Sequence, residues 1–97
     1  MTESKEKNGE VEILGNTIAE VVAEAVKHAP RGVFGISAGY ITDKSELFSS
    51  DFEVRPEPIT AEKIEQKLTS KLIMEAMLAG DDGRTVSRFV VALKLSK

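Results

Sequence analysis

Gly35-Ile36-Ser37-Ala38-Gly39 spells G-x-S-x-G, an arrangement in which a serine can act as a nucleophile. That chemistry needs the serine on a tight strand-to-helix turn, which lifts its hydroxyl clear of the backbone toward a basic partner. The residues that follow, Ala38 to Asp43, continue as strand and turn, and no helical pattern starts there. The single histidine, His28, precedes Ser37, whereas this turn is ordinarily followed in the chain by the acid and then the histidine. Order alone does not exclude a triad, because other folds use other orders. The missing helix weighs more. Read as a strand, the segment places Gly35, Ser37 and Gly39 on one side and Ile36 and Ala38 on the other. A flat strip of small residues suits close approach of a neighbour better than attack on a substrate.

The remaining candidates for chemistry are thinner. His28 falls in the last turn of a helical pattern, where a cationic ring complements the helix dipole, and a metal would need further ligands converging on it. Asp81-Asp82 lies in a loop of four residues, too short for the twelve-residue acidic pattern of a calcium loop. Gly15 alone is not a glycine-rich phosphate loop, and no Lys-Ser or Lys-Thr follows it. The chain has no cysteine, which removes disulfides and thiolate metal sites. The expectation is a protein with no catalytic, cofactor-binding or metal-binding residues.

Elements that would position these residues follow from periodicity. Val11–Leu14 is a short strand, and Asn16 is placed to cap a helix over 17–29 whose apolar stripe is Ile18, Val21, Val22, Ala25, Val26 and Ala29. Pro30 stops that helix. Strands are predicted over 33–41 and 48–55, each alternating, the second ended by Pro56 and Pro58. A second helix spans 60–79, capped by Thr60 with Ile59 and Ile64 as a hydrophobic staple. A last strand covers 84–94. The order β-α-β-β-α-β is that of a split, ferredoxin-like α+β sandwich, with two helices on one face of an antiparallel sheet. One alternative makes 67–79 a strand, hairpinned through Asp82-Gly83 to the last strand, leaving one helix on a mostly antiparallel sheet. The abundance of Ala, Glu, Lys, Gln, Leu and Met in that segment favours the helix.

Three resemblances attach to particular residues. Ser37-Ala38-Gly39 resembles the serine motif of patatin-type lipases, which implies a Ser–Asp dyad at Ser37. Gly15 to Val21 resembles the strand-to-helix glycine turn of ACT regulatory domains, which implies a β-α-β-β-α-β domain that dimerises around a small ligand. Asp82 to Arg88, followed by an apolar strand, is similar to the terminal strand of Alba-type nucleic-acid-binding proteins, although the element order departs from theirs.

At 97 residues the chain has room for one small domain. Residues 1–10 are polar and mixed in charge and read as a disordered tail; residues 11–97 read as a single α+β domain. A formal net charge of −3 sets the overall field against nucleic acid. No apolar run approaches the roughly 20 residues that span a bilayer, and nothing resembles a secretory leader, so the expected location is cytoplasmic and no membrane partner is expected.

Two surfaces follow. Phe34, Ile36, Phe52, Val54, Phe89, Val91 and Leu93 are placed inward. Gly35, Ser37, Gly39, Asp51, Glu53, Arg55, Arg88 and Lys94 then form the outer sheet face, with Gly35, Ser37, Gly39 and Arg88 as candidates for contact. On the second helix, Leu72, Ile73, Met74, Met77 and Leu78 run almost all the way round, and one face cannot bury them all. Ile73, Met74 and Met77 are left over as a candidate interface. The leading expectation is a non-catalytic interaction module that is homo-oligomeric or binds a protein partner. An ACT-like small-ligand domain and a hydrolase using Ser37 are the alternatives.

Overall fold

The computed structural model describes residues 2–96. Two helices lie on one face of a six-stranded antiparallel sheet, an α+β fold. The elements are β1 (Glu3–Lys7), β2 (Glu10–Gly15), α1 (Ile18–Val26), a 3-10 turn at Ala29–Arg31, β3 (Gly35–Thr42), β4 (Leu47–Ser49), β5 (Glu53–Val54), α2 (Ala61–Asp81) and β6 (Val86–Lys94). The strands are ordered β1-β2-β6-β3-β4, and β5 pairs with β3 beyond the end of β4. Every pairing is antiparallel.

The core lies between sheet and helices. Val11 and Ile13 of β2, Ile36 and Ala38 of β3, and Val91 and Leu93 of β6 point to Val21, Val22 and Ala25 of α1 and to Ile64, Leu68 and Leu72 of α2. Period-2 and period-3.6 patterns thus converge on one buried layer, as apolar burial requires. Gly15 lets α1 sit close on β2: a Cβ there would stand 2.8 Å from Val21 Cγ1.

The helix over 60–79 is confirmed as α2, so residues 67–79 form no strand. Thr60 caps it by accepting a hydrogen bond from the Lys63 amide at 3.3 Å, and the staple residues Ile59 and Ile64 are both buried. For α1 the cap is Thr17, not Asn16: its hydroxyl accepts from the Glu20 amide at 3.2 Å. The helix also ends at Val26, earlier than Pro30 dictates, and Pro30 falls within the 3-10 turn.

Two expectations need correction. Within the stretch read as a disordered tail, Glu3–Lys7 form β1, paired in register with β2 from Glu3↔Leu14 to Lys7↔Glu10. Asn8 and Gly9, at φ 53 and 76, make the turn, as a two-residue Asn-Gly hairpin demands. β1 has no apolar residue and is exposed throughout, so hydrophobic patterning could not reveal it. The second correction concerns the strand over 48–55. Tyr40 pairs with Phe48 and Ile36 with Glu53. Four steps on β3 therefore match five on its neighbour, and the extra residue is a bulge between β4 and β5. A one-residue slip inverts the faces. Glu53 consequently points to the helices, where it meets Lys67 and Lys71, and Phe52 turns outward, under the Lys94 ammonium at 4.9 Å from its ring centre.

Candidate interaction surface on α2

The G-x-S-x-G strip is filled by the chain itself. At Gly39 the β4 backbone runs so close that an added Cβ would strike the Phe48 carbonyl and stand 2.6 Å from Ser49 Cα. The Ser37 hydroxyl donates to the Ser50 carbonyl at 2.7 Å, and its residue is buried. Ser50 completes the bulge: its hydroxyl takes the Ala38 amide at 3.3 Å, while its own amide donates to the Ala38 carbonyl at 2.9 Å. Side chain and backbone of one serine thus replace a broken stretch of ladder. Gly35 lies beneath Lys94, whose Cβ would be 3.3 Å from an added methyl. Ser37 is therefore mid-strand and tethered, with β3 running on to Thr42. His28 has Arg31 Nη1 at 3.3 Å from its Nδ1. Arg88 pairs with Glu3 of β1 at 2.9 Å. Among the described residues, no group of three His, Asp or Glu side chains converges as a metal site would require, and no helix is long and apolar enough to cross a membrane.

The α2 residues are arranged differently. Its inner face, Ile64, Leu68, Leu72 and Ala79, is fully buried. On the outer face Ile73, Met74, Met77 and Leu78 are 47%, 61%, 66% and 50% exposed. Spacings of one, three and one put these four on a single stripe about one and a half turns long. With Ser70 at one end and Asp81 at the other, they bound a shallow depression of about 420 Å³. Leu78 belongs to this stripe with the three candidates. The signal that could have included it is its place four residues after Met74 and one after Met77.

Upstream on the same helix, charge replaces apolar surface. Lys67 and Lys71 stand 3.5 and 3.6 Å from the Glu53 carboxylate, and Arg55 stands 2.8 Å from it. Desolvation works to raise the Glu53 pKa, but the three cations outweigh it and hold the carboxyl below its ordinary value. This cluster was not legible in the sequence, since it exists only because the bulge turned Glu53 over.

No known family matches the chain, and no curated protein matches it. Among solved structures, the chain is similar to a chain of the post-insertion binary complex of Dbh DNA polymerase. The TM-score is 0.61 at 19% identity, over 79% of this chain and 22% of that one. The likeness concerns the fold, and it spans about a fifth of the polymerase chain.

Proposed function

We propose that this domain is a non-catalytic interaction module that pairs with a second copy of itself through α2. The observation that carries this reading is the exposed stripe of Ile73, Met74, Met77 and Leu78. A fully buried aliphatic or methionine side chain is worth about 1.5–3 kcal/mol over an exposed one, and contiguous exposed apolar surface of this kind marks interaction sites.

A second copy suits the stripe because its ends are complementary. In a two-fold, antiparallel crossing, Met74 of one copy meets Met77 of the other and Ile73 meets Leu78. Ser70 and Lys71 at the start of one stripe then lie beside the exposed Asp81 at the end of the other. Such an isologous contact closes on itself and stops at two copies. The net charge of −3 favours a protein partner over nucleic acid. An ACT-like ligand turn is less favoured, since the space at Gly15 is taken by Val21 and Glu20. A hydrolase is less favoured because Ser37 is committed to Ser50.

Sedimentation equilibrium over a wide range of concentration tests the reading. A monomer–dimer equilibrium that Met77→Lys abolishes, with the circular dichroism spectrum unchanged, supports it. A monomer at the highest concentrations removes it.

A further inference from the structure

We propose that Met74 and Met77 are a paired oxidation site, at which a peroxide-class oxidant converts both thioethers to sulfoxides and so dissociates the α2 pairing. This rests on the homotypic reading above and names how that contact is regulated. The chain has no cysteine and three methionines. Apart from Met1, both stand one helical turn apart on this stripe, 61% and 66% exposed. All the sulfur chemistry within the body of the domain is thus concentrated on one patch. Oxidation of methionine follows exposure, and both thioethers are open to solvent in the separated copy.

The step balances simply. A sulfur lone pair attacks one oxygen of the peroxide, the O–O bond breaks and an S–O bond forms. Sulfur gives up two electrons, and the other peroxide oxygen, taking up a proton, leaves as water or an alcohol. Each flexible apolar side chain becomes a polar one that needs hydration. Across the two-fold contact Met74 of one copy meets Met77 of the other, so four sulfoxide oxygens, all acceptors, would be set against one another beside Ile73 and Leu78, with no side-chain hydrogen-bond donor among these residues. Burying them unpartnered is unfavourable. Because oxidation acts on the separated copy, it withdraws that copy from the equilibrium. Ile73 and Leu78 cannot follow this chemistry, so reduction of the two sulfoxides is enough to restore the surface.

The test uses the full chain treated with hydrogen peroxide, analysed by peptide mass spectrometry, sedimentation equilibrium and circular dichroism. The expected result is one oxygen on each of Met74 and Met77, an unchanged helical spectrum, and a dimer dissociation constant raised about 100-fold or more, a tenfold change being about 1.4 kcal/mol. Methionine sulfoxide reductase should reverse the effect, and peroxide should leave the dissociation constant of the double variant Met74→Leu/Met77→Leu at that variant's own untreated value. An oxidised chain that dimerises as tightly as the reduced one overturns the proposal. So does an oxidised chain that unfolds, or a double variant that dissociates like the wild type. A reduced chain that never dimerises fails before any oxidant is added, and it removes the homotypic reading itself.

Discussion

The two edges of the sheet are secured by opposite means. On one side, β1 lies exposed, tied by backbone pairing to β2 and by two arginines: Arg31 grips Glu6 through two contacts of 2.7 Å on the helix face, and Arg88 holds Glu3 on the other. On the opposite side, β4 and β5 are short and bulged, yet locked into β3 by buried contacts at Gly39, Ser37 and Ser50. There Tyr40 stacks on Phe48 at 5.4 Å, with Arg84 over the Phe48 ring. An open strand edge invites further pairing, and charge and bulging are both ways to prevent it. The difference shows that a protective edge can be loosely or tightly coupled to the core, so the two edges should fail separately.

The sharpest way to break the comparison is Gly39→Ala. Its methyl meets β4 backbone, which cannot move without lifting the edge, so a loss of about 3 kcal/mol is expected in urea unfolding. Gly35→Ala meets the Lys94 side chain and should cost less, about 1 kcal/mol. A tolerated Gly39→Ala would mean that this edge is no tighter than β1. Next comes Ser50→Ala, which leaves the Ala38 amide without its acceptor; a loss of about 1–2 kcal/mol is expected by the same measurement.

Acid compares the edges directly. The hydrogen bonds from Arg31, helped by its charge, hold the Glu6 carboxyl below its ordinary value, as the surrounding cations do for Glu53. A depressed folded pKa contributes stability above the unfolded value and loses it as pH falls through the folded one. Stability should therefore decline as pH drops below about 4.5, and Glu53→Gln should flatten that decline in urea midpoints measured against pH. The smallest effect belongs to β1. Raised salt screens its exposed ion pairs, so the amides of β1 should exchange faster with deuterium while the melting temperature stays nearly constant. Equal acceleration in β3 would show the two edges to be coupled.

Much of the core was legible because burial imposes a period. Ile64, Leu68 and Leu72 announced α2, and Val91 and Leu93 announced β6. What escaped the sequence was whatever burial does not pattern. β1 is charged at almost every position and is held from a distance by arginines that a local window does not contain. The bulge hid inside an alternation that looked continuous from Phe48 to Arg55, because a one-residue slip leaves composition untouched while exchanging Phe52 with Glu53. On α2 the surplus of apolar residues was visible, since a helix apolar all round exceeds what one core face can cover. The small-residue strip was visible too, but its occupant, the chain's own Ser49 and Ser50, depends on the bulge.

The place of β6 sets the order of assembly. Among the described residues it is the last strand of the sheet in sequence order, yet it sits between β2 and β3 and bonds to both. Until Val86–Lys94 emerge from a ribosome, β2 and β3 have no bridge, and the apolar faces of both helices lack the centre of their floor. The two central pairings, of β2 and of β3 with β6, therefore join distant parts of the chain, a topology that slows folding relative to local contacts. During synthesis this domain must wait, partly open, for its last nine-residue strand.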